Sequence, residues 1–500
     1  MLLTDLLSVD DVPPNILSLL TIHEIFTFAR CTLHTCISGA SWRDLILTFP
    51  WKVIVSATQV DVIETQHLCL NLNLSSTTHT SKHPSQPWYQ YFVKIAKRDQ
   101  SFVVVDPGSF ELKAGFSGEK EPCCVLATDV VLDKKTSATF GPLTNSHQVW
   151  HHVLFTLLQI LGVHAHKTRL CIVLRPFDMM SQSNSSSPKP VSLSVLKNIA
   201  QVCIESVGVA AVTFRWAPEC ALLTAKKESG VVLEVGERMS YCVPVSRRRH
   251  HDAVASDAND LCNNLYISSS SFSMSGIGRG TGKCSYGGDG HLARRGKKLL
   301  LPVSTLCGAD LTLQMQSELL ILQNTNITLQ EARHLKEKQC YARARKSKWM
   351  PSGADQFLLQ GEAQVIPSSG KTVVLAAERF NVPEVLLSPS RIGRLETKSI
   401  VDLVTMAMIH VTLSQGQQGP SLFTIGGSME FRDLPRRLEK ELKEIGISEC
   451  KHLGQYAAWV GASNSGDGSE MDWIRKISTT NSRKMSLQRM KRKLATCTGY

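Results

Sequence analysis

Two segments of this chain share one pattern, and that repetition constrains the fold more than any other feature. Ser101–Phe116 carries the apolar run Phe102–Val105, turns at Asp106-Pro107-Gly108-Ser109, and resumes with Leu112, Ala114 and Phe116. Gly230–Val245 carries Val231–Leu233, turns through Glu234-Val235-Gly236-Glu237-Arg238, and alternates through Met239, Tyr241, Val243 and Val245. Each reads as strand, tight turn and strand, with an acid at the strand end and a glycine two residues on. Two copies of such a hairpin predict an internal duplication.

The stretch between the copies alternates helix and strand. Val149–Leu161 and Ser192–Ser206 have helical spacing and Leu170–Leu174 reads as a buried strand, which is α/β architecture. Helical patterns return at Thr305–Leu320, Thr328–Tyr341 and Arg432–Ile445. Residues 246–299, rich in Ser, Gly, Arg and His, read as a flexible surface insertion. At the start, Pro13, Pro14, Ile16, Leu17, Leu20, Ile25 and Phe28, then Trp42, Leu45 and Trp51, form a small apolar helical unit, followed by the polar stretch Asn71–Gln86. The expected organisation is a helical segment 1–55, a linker 56–100, an α/β region 101–480 and a basic tail 481–500.

Composition narrows the function classes. Hydrophobic content of 43% with 20% charged residues allows a large divided core in 500 residues. The formal charge of +12 is carried by short runs such as Arg247–Arg249, Arg294–Lys298, Arg343–Lys348 and Arg483–Lys493, which read as solvated loops and tails, so nucleic-acid binding is not expected. Met1–Asp11 lacks a basic leader region and no apolar stretch spans a bilayer, so a soluble protein without membrane contact is expected. The 15 cysteines form no paired C-x-x-C pattern and read as reduced thiols, and His23, Cys31, His34 and Cys36 fit no recurrent zinc spacing. Nucleus, including nucleolus, or cytoplasm is the expected compartment.

The first hairpin collects what a polyphosphate requires: backbone N–H groups at Gly108–Ser109, the hydroxyl of Ser109, the charge of Lys113, and a carboxylate, Asp106, to face a hydrated metal. Val103–Phe116, with Lys113-Ala114-Gly115-Phe116 and Gly118, resembles the first phosphate hairpin of the actin family, and Val231–Gly236 resembles the second. Trp150-His151-His152, Leu306–Thr312, Leu335–Tyr341, Glu378–Pro389, Gly426-Gly427-Ser428 and Tyr456–Gly461 match further blocks of that family in order. The resemblance implies an actin-like, two-lobed fold of the actin, Hsp70 and hexokinase ATPase type, with duplicated α/β subdomains and a reduced second subdomain.

It further implies ATP or ADP with Mg²⁺ as ligand. Asp106, Gly108, Ser109, Lys113, Glu234 and Gly236 would serve the phosphates, with Asp106 and Glu234 facing the metal through water. Arg333, Lys336, Glu337, Gly426 and Gly427 would serve the adenosine side, with Arg333 and Glu337 bracing each other at i,i+4. Departures from the family are equally informative. Glu234 replaces an aspartate, Arg238 replaces a glycine and threatens the turn, the water-orienting glutamine falls in Ala217-Pro218-Glu219, where Pro218 cannot serve and Glu219 could substitute, and Tyr241 stands where the family has a histidine. Absent or slow hydrolysis is the expectation.

The span 131–149 is too short for the loop by which actin protomers grip one another, so actin-type filaments are not expected. The N-terminal unit resembles an F-box, the combination found in the F-box-containing actin-related proteins of plants. Pro14, Leu17, Leu20, Ile25 and Trp42 would dock on a Skp1-like adaptor through residues 12–52, and other proteins would bind the actin-like lobes. Two alternatives remain at this point: a nuclear chromatin-complex subunit without a ubiquitin-ligase link, and a slow Mg²⁺-dependent ATPase.

Overall fold

The computed structural model describes residues 94–475, apart from 132–136, 140–145, 179–188, 247–301, 344–361, 416–420, 467–470 and the positions 96, 192, 367, 368, 448 and 472. The F-box-like segment 1–55, the linker up to residue 93, the insertion from 247 onward and the tail 481–500 lie outside the described residues.

Along the chain come the strands β1 (Val103–Pro107), β2 (Glu111–Phe116) and β3 (Cys124–Ala127), the helix α1 (His147–Ile160), β4 (Arg169–Leu174), α2 (Leu193–Gln201), β5 (Ala211–Trp216) and α3 (Ala217–Ala225). The second half runs β6 (Ser229–Val235), β7 (Ser240–Ser246), β8 (Val303–Ser304), α4 (Gly308–Gln323), α5 (Leu329–Gln339), α6 (Glu378–Glu384), α7 (Ile400–Gln415), β9 (Leu422–Ile425), α8 (Leu434–Glu444), β10 (Cys450–Gly454), α9 (Ala457–Ser463) and β11 (Ile474–Arg475). One sheet has the order β11-β5-β4-β1-β2-β3 and the other β8-β7-β6-β9-β10.

The duplication seen in two hairpins extends to five strands. In each sheet a hairpin's second strand pairs antiparallel with a third strand, while its first strand pairs parallel with a later strand that pairs parallel with the next. This mixed α/β arrangement of two like sheets fits an actin-like fold. Both sheets are covered on both faces, which is why β1 and β6 read as near-continuous apolar runs. Val103 and Val105 face one core with α1 and α2; Val231, Leu233 and Val235 face another with α4, α7 and α8. Val104 and Val232 face a shared third core between the sheets, filled by α3 and α9.

In that shared layer α3 and α9 touch backbone to backbone. A Cβ on Gly461 would lie 1.8 Å from the carbonyl oxygen of Cys220, so only glycine permits the crossing. Trp459, fully buried, donates from Nε1 to the Val104 carbonyl at 3.2 Å and so ties α9 to β1. Between β3 and α1 the described structure is a short ribbon, Asp129–Val131 paired with Ser137–Thr139. Ser146 then caps α1 by accepting from the Val149 amide. Among the described residues no helix is long and apolar enough to cross a membrane, and the cysteines are free thiols.

Candidate functional site

The two hairpin turns approach each other across a cleft of about 380 Å³. That is within the range of roughly 300–1,000 Å³ for small-molecule sites. The hairpins superpose in register: Asp106 pairs with Lys113 as Glu234 pairs with Tyr241. Each turn is closed by a glycine amide, Gly108 donating to Glu111 O at 2.9 Å and Gly236 to Met239 O at 3.0 Å. A Cβ on Gly108 would lie 2.5 Å from the Glu111 carbonyl oxygen, so the first turn admits nothing larger. The threat that Arg238 posed to the second turn is not realised. Among the described non-glycine residues positive φ occurs only at Lys226, Asn324 and Asp433, so Arg238 sits in the turn without left-handed backbone.

Of the residues expected to serve a nucleotide, Gly108, Ser109, Lys113, Glu234, Gly236, Lys336, Glu337, Gly426 and Gly427 all line this one cleft. Asp106 is fully buried beneath it. Gly426 adopts φ +101°, and a Cβ there would lie 2.5 Å from Val235 O, whereas beside Gly427 no atom lies within 4 Å of the Cβ position. The strand β9 therefore ends with its backbone bare to the cleft.

Sequence reasoning missed the residue at the centre. Arg175 follows β4 and projects between the two acids, ion-paired to Asp106 through Nη1 and to Glu234 through Nε at 2.9 Å. Nη1 also donates to the Pro107 carbonyl at 3.4 Å. The second Glu234 oxygen accepts from the buried Tyr241 hydroxyl. Burial opposes the charge on Arg175, but Asp106 and Glu234 outweigh it and hold its pKa well above the ordinary value. Tyr241 is pushed up by burial and by the Glu234 charge, so it stays a neutral donor.

A hydrated Mg²⁺ does not fit this arrangement. To face its water shell the carboxylates need oxygens free to accept, and three of the four are taken, Asp106 Oδ1 and Glu234 Oε1 by Arg175 and Glu234 Oε2 by Tyr241, leaving the buried Asp106 Oδ2. Where the sequence placed a metal between Asp106 and Glu234, the structure places a protein cation. Among the described residues no group of three His, Cys, Asp or Glu side chains converges to offer another metal site. A nucleotide does fit by the same test, since Lys113 and Ser109 line the cleft and no atom lies within 4 Å of the Cβ position at Gly427, whereas the Gly108 and Gly236 amides already close their own turns.

On the far side, Thr328 caps α5 in a reciprocal pair with Glu331, the Thr328 amide donating to Glu331 Oε2 at 2.7 Å. Arg333 on this helix does not pair with Glu337 as expected. Its Nη2 binds Glu237 in the second hairpin turn, and its guanidinium stacks 3.7 Å from the ring centroid of Phe110 in the first. Lys336 is buried, donating to Gly308 O at 3.0 Å and Thr312 Oγ1 at 2.9 Å, and burial lowers its pKa. Glu337 remains at the cleft, its pKa raised by burial. These long-range pairings had no signal in the local sequence.

No family model matches the chain. It is 24% identical over 413 residues to a protein named centractin from Saccharomyces cerevisiae, covering 72% of this chain and 88% of that protein. It is also 30% identical over 114 residues to actin-like protein arp6 from Aspergillus fumigatus, covering 21% of this chain and 24% of that protein. Both relatives support an actin-related family. The two-sheet actin-like fold agrees with that.

Proposed function

We propose that this chain is an actin-related protein that builds no actin-type filament and holds an adenine nucleotide between its lobes as a conformational ligand. The observation that carries this reading is the convergence of Gly108–Ser109, Gly236 and Gly426–Gly427 with Lys113 on one cleft. The Ser109 hydroxyl and the turn amides other than those of Gly108 and Gly236, which close the turns, would receive the phosphates and Lys113 would pair with their charge, while the open side at Gly427 would admit the base and ribose. Such a ligand stabilises the folded chain in proportion to the logarithm of its concentration over Kd. Turnover is not part of the proposal. Pro218 in α3 has no group with which to orient a water, and Tyr241 is engaged with Glu234. The short ribbon between β3 and α1 supports the absence of filament contacts.

The test is thermal unfolding of the full chain with ATP or ADP, beside Lys113→Met. A rise in the unfolding temperature of the wild type that the variant lacks is expected; no rise at saturating nucleotide removes the ligand and leaves a partner-binding scaffold. The N-terminal segment adds a second element to the proposal, docking on a Skp1-like adaptor through Pro14, Leu17, Leu20, Ile25 and Trp42. Its support is the apolar spacing alone. Co-purification with such an adaptor that is lost in Leu17→Asp is the expected result, and no co-purification refutes it.

A further inference from the structure

Arg175 has an unusual set of neighbours for a structural arginine. It stands at the carboxyl end of β4, the edge of an open α/β sheet at which ligands bind. Its side chain is 14% exposed and lines the cleft beside Gly108, Ser109, Lys113, Gly236 and Arg238. Nε and Nη1 are committed to Glu234, Asp106 and Pro107 O. Nη2 makes no hydrogen bond among the described residues, which leaves one face of a planar fork for an anion. Beneath it, Asp106 Oδ2 is buried without a hydrogen-bond partner among the described residues, a demand for one donor such as a water, not for a ligand shell.

Resting on the nucleotide reading above, we propose that Arg175 is a built-in cation standing in for the divalent metal, and that the cleft takes its polyphosphate as the free anion. The guanidinium performs both tasks a hydrated metal would share: it neutralises the two hairpin carboxylates, and it presents N–H donors to phosphate oxygens. A bound Mg²⁺ would have to displace it from two ion pairs and leave an arginine buried without partners, which is costly.

Calorimetric titration of the full chain with ATP, in EDTA and in excess Mg²⁺, tests this together with Arg175→Gln. The wild type is expected to bind in EDTA within about threefold of its affinity in Mg²⁺; Arg175→Gln is expected to bind about tenfold or more weakly in EDTA and to recover with Mg²⁺. A wild type that binds ATP only with Mg²⁺ overturns the inference and leaves the nucleotide reading standing. If neither form binds ATP under either condition, that reading fails and the free-anion half of the inference with it, and the other half, that Arg175 stands in for the divalent metal, is decided by unfolding temperature with Mn²⁺ alone. A rise for Arg175→Gln that is absent from the wild type and from Arg175→Gln combined with Asp106→Asn upholds it; no rise overturns it. Should Arg175→Gln not fold, Arg175→Lys retains the charge and is expected to bind ATP in EDTA; a Mg²⁺ requirement in that variant overturns the inference.

Discussion

The two hairpin units have the same backbone and opposite uses. In each, the residue before the acid pairs with the neighbouring parallel strand, Val105 with Ile172 and Leu233 with Thr424. Counting three residues onward from those partners equates Arg175 in the first unit with Gly427 in the second. One strand thus ends in the longest cation and its counterpart in the smallest residue. Within the hairpins the contrast recurs: Lys113 and Tyr241 hold equivalent positions and both border the cleft, but Tyr241 is fully buried with its hydroxyl bonded to Glu234. Ser109 and its equivalent Glu237 also both border the cleft, but Glu237 is held by Arg333 and by Lys336 at 3.8 Å. Both units spend their acid on Arg175, but beyond it the first keeps Ser109 and Lys113 available while the second spends Glu237 and Tyr241 on the protein. Duplication preserved the register of the strands, which packing enforces on both faces, and left side chains at the turns free to diverge.

The sharpest way to break this contrast is Arg175→Ala, which leaves Asp106 and Glu234 buried without their shared partner. A loss of about 3–5 kcal/mol is expected in chemical denaturation. Tyr241→Phe removes the hydroxyl that serves a buried carboxylate and is expected to cost about 1.5–3 kcal/mol by the same measurement. Gly426→Ala forces a side chain into positive φ against Val235 O; about 1–3 kcal/mol is expected, and nucleotide affinity should fall with it. Lys113→Met, at the position equivalent to Tyr241, is expected to change stability by less than about 0.5 kcal/mol while weakening ATP binding severalfold in titration. Equal stability losses at Lys113 and Tyr241 would erase the distinction between the two units.

How far the sequence could be read follows from the range of the interactions. Both hairpins were legible because alternation, an acid and a turn glycine all lie within sixteen residues. Helices α4, α5 and α8 were legible from their spacing, with Thr328 and Glu331 marking a start. Helix α3 was not, since Pro218 at its opening and a surface buried on nearly every side leave no periodic pattern. The same holds for α7, whose apolar residues surround it. Convergence of the glycine turns on one cleft could be expected only through the family resemblance. Arg175 escaped that as well: its two carboxylate partners lie 69 and 59 residues away, and nothing in Leu174-Arg175-Pro176 announces them.

The clasp made by Arg333 sets a mechanical condition on the molecule. Phe110 belongs to the first-sheet lobe and Glu237 to the second, so one side chain measures the gap between them, stacking on one jaw and ion-paired to the other. Its two ends answer to different agents. Both partners of the ion pair are mostly buried, so added salt screens it little, and the two ends are parted by losing a side chain rather than by ionic strength. Removing the carboxylate of Glu237 frees that jaw while the arginine stays seated on Phe110, and removing the ring of Phe110 frees the other, so each end sets a different side from which the gap opens.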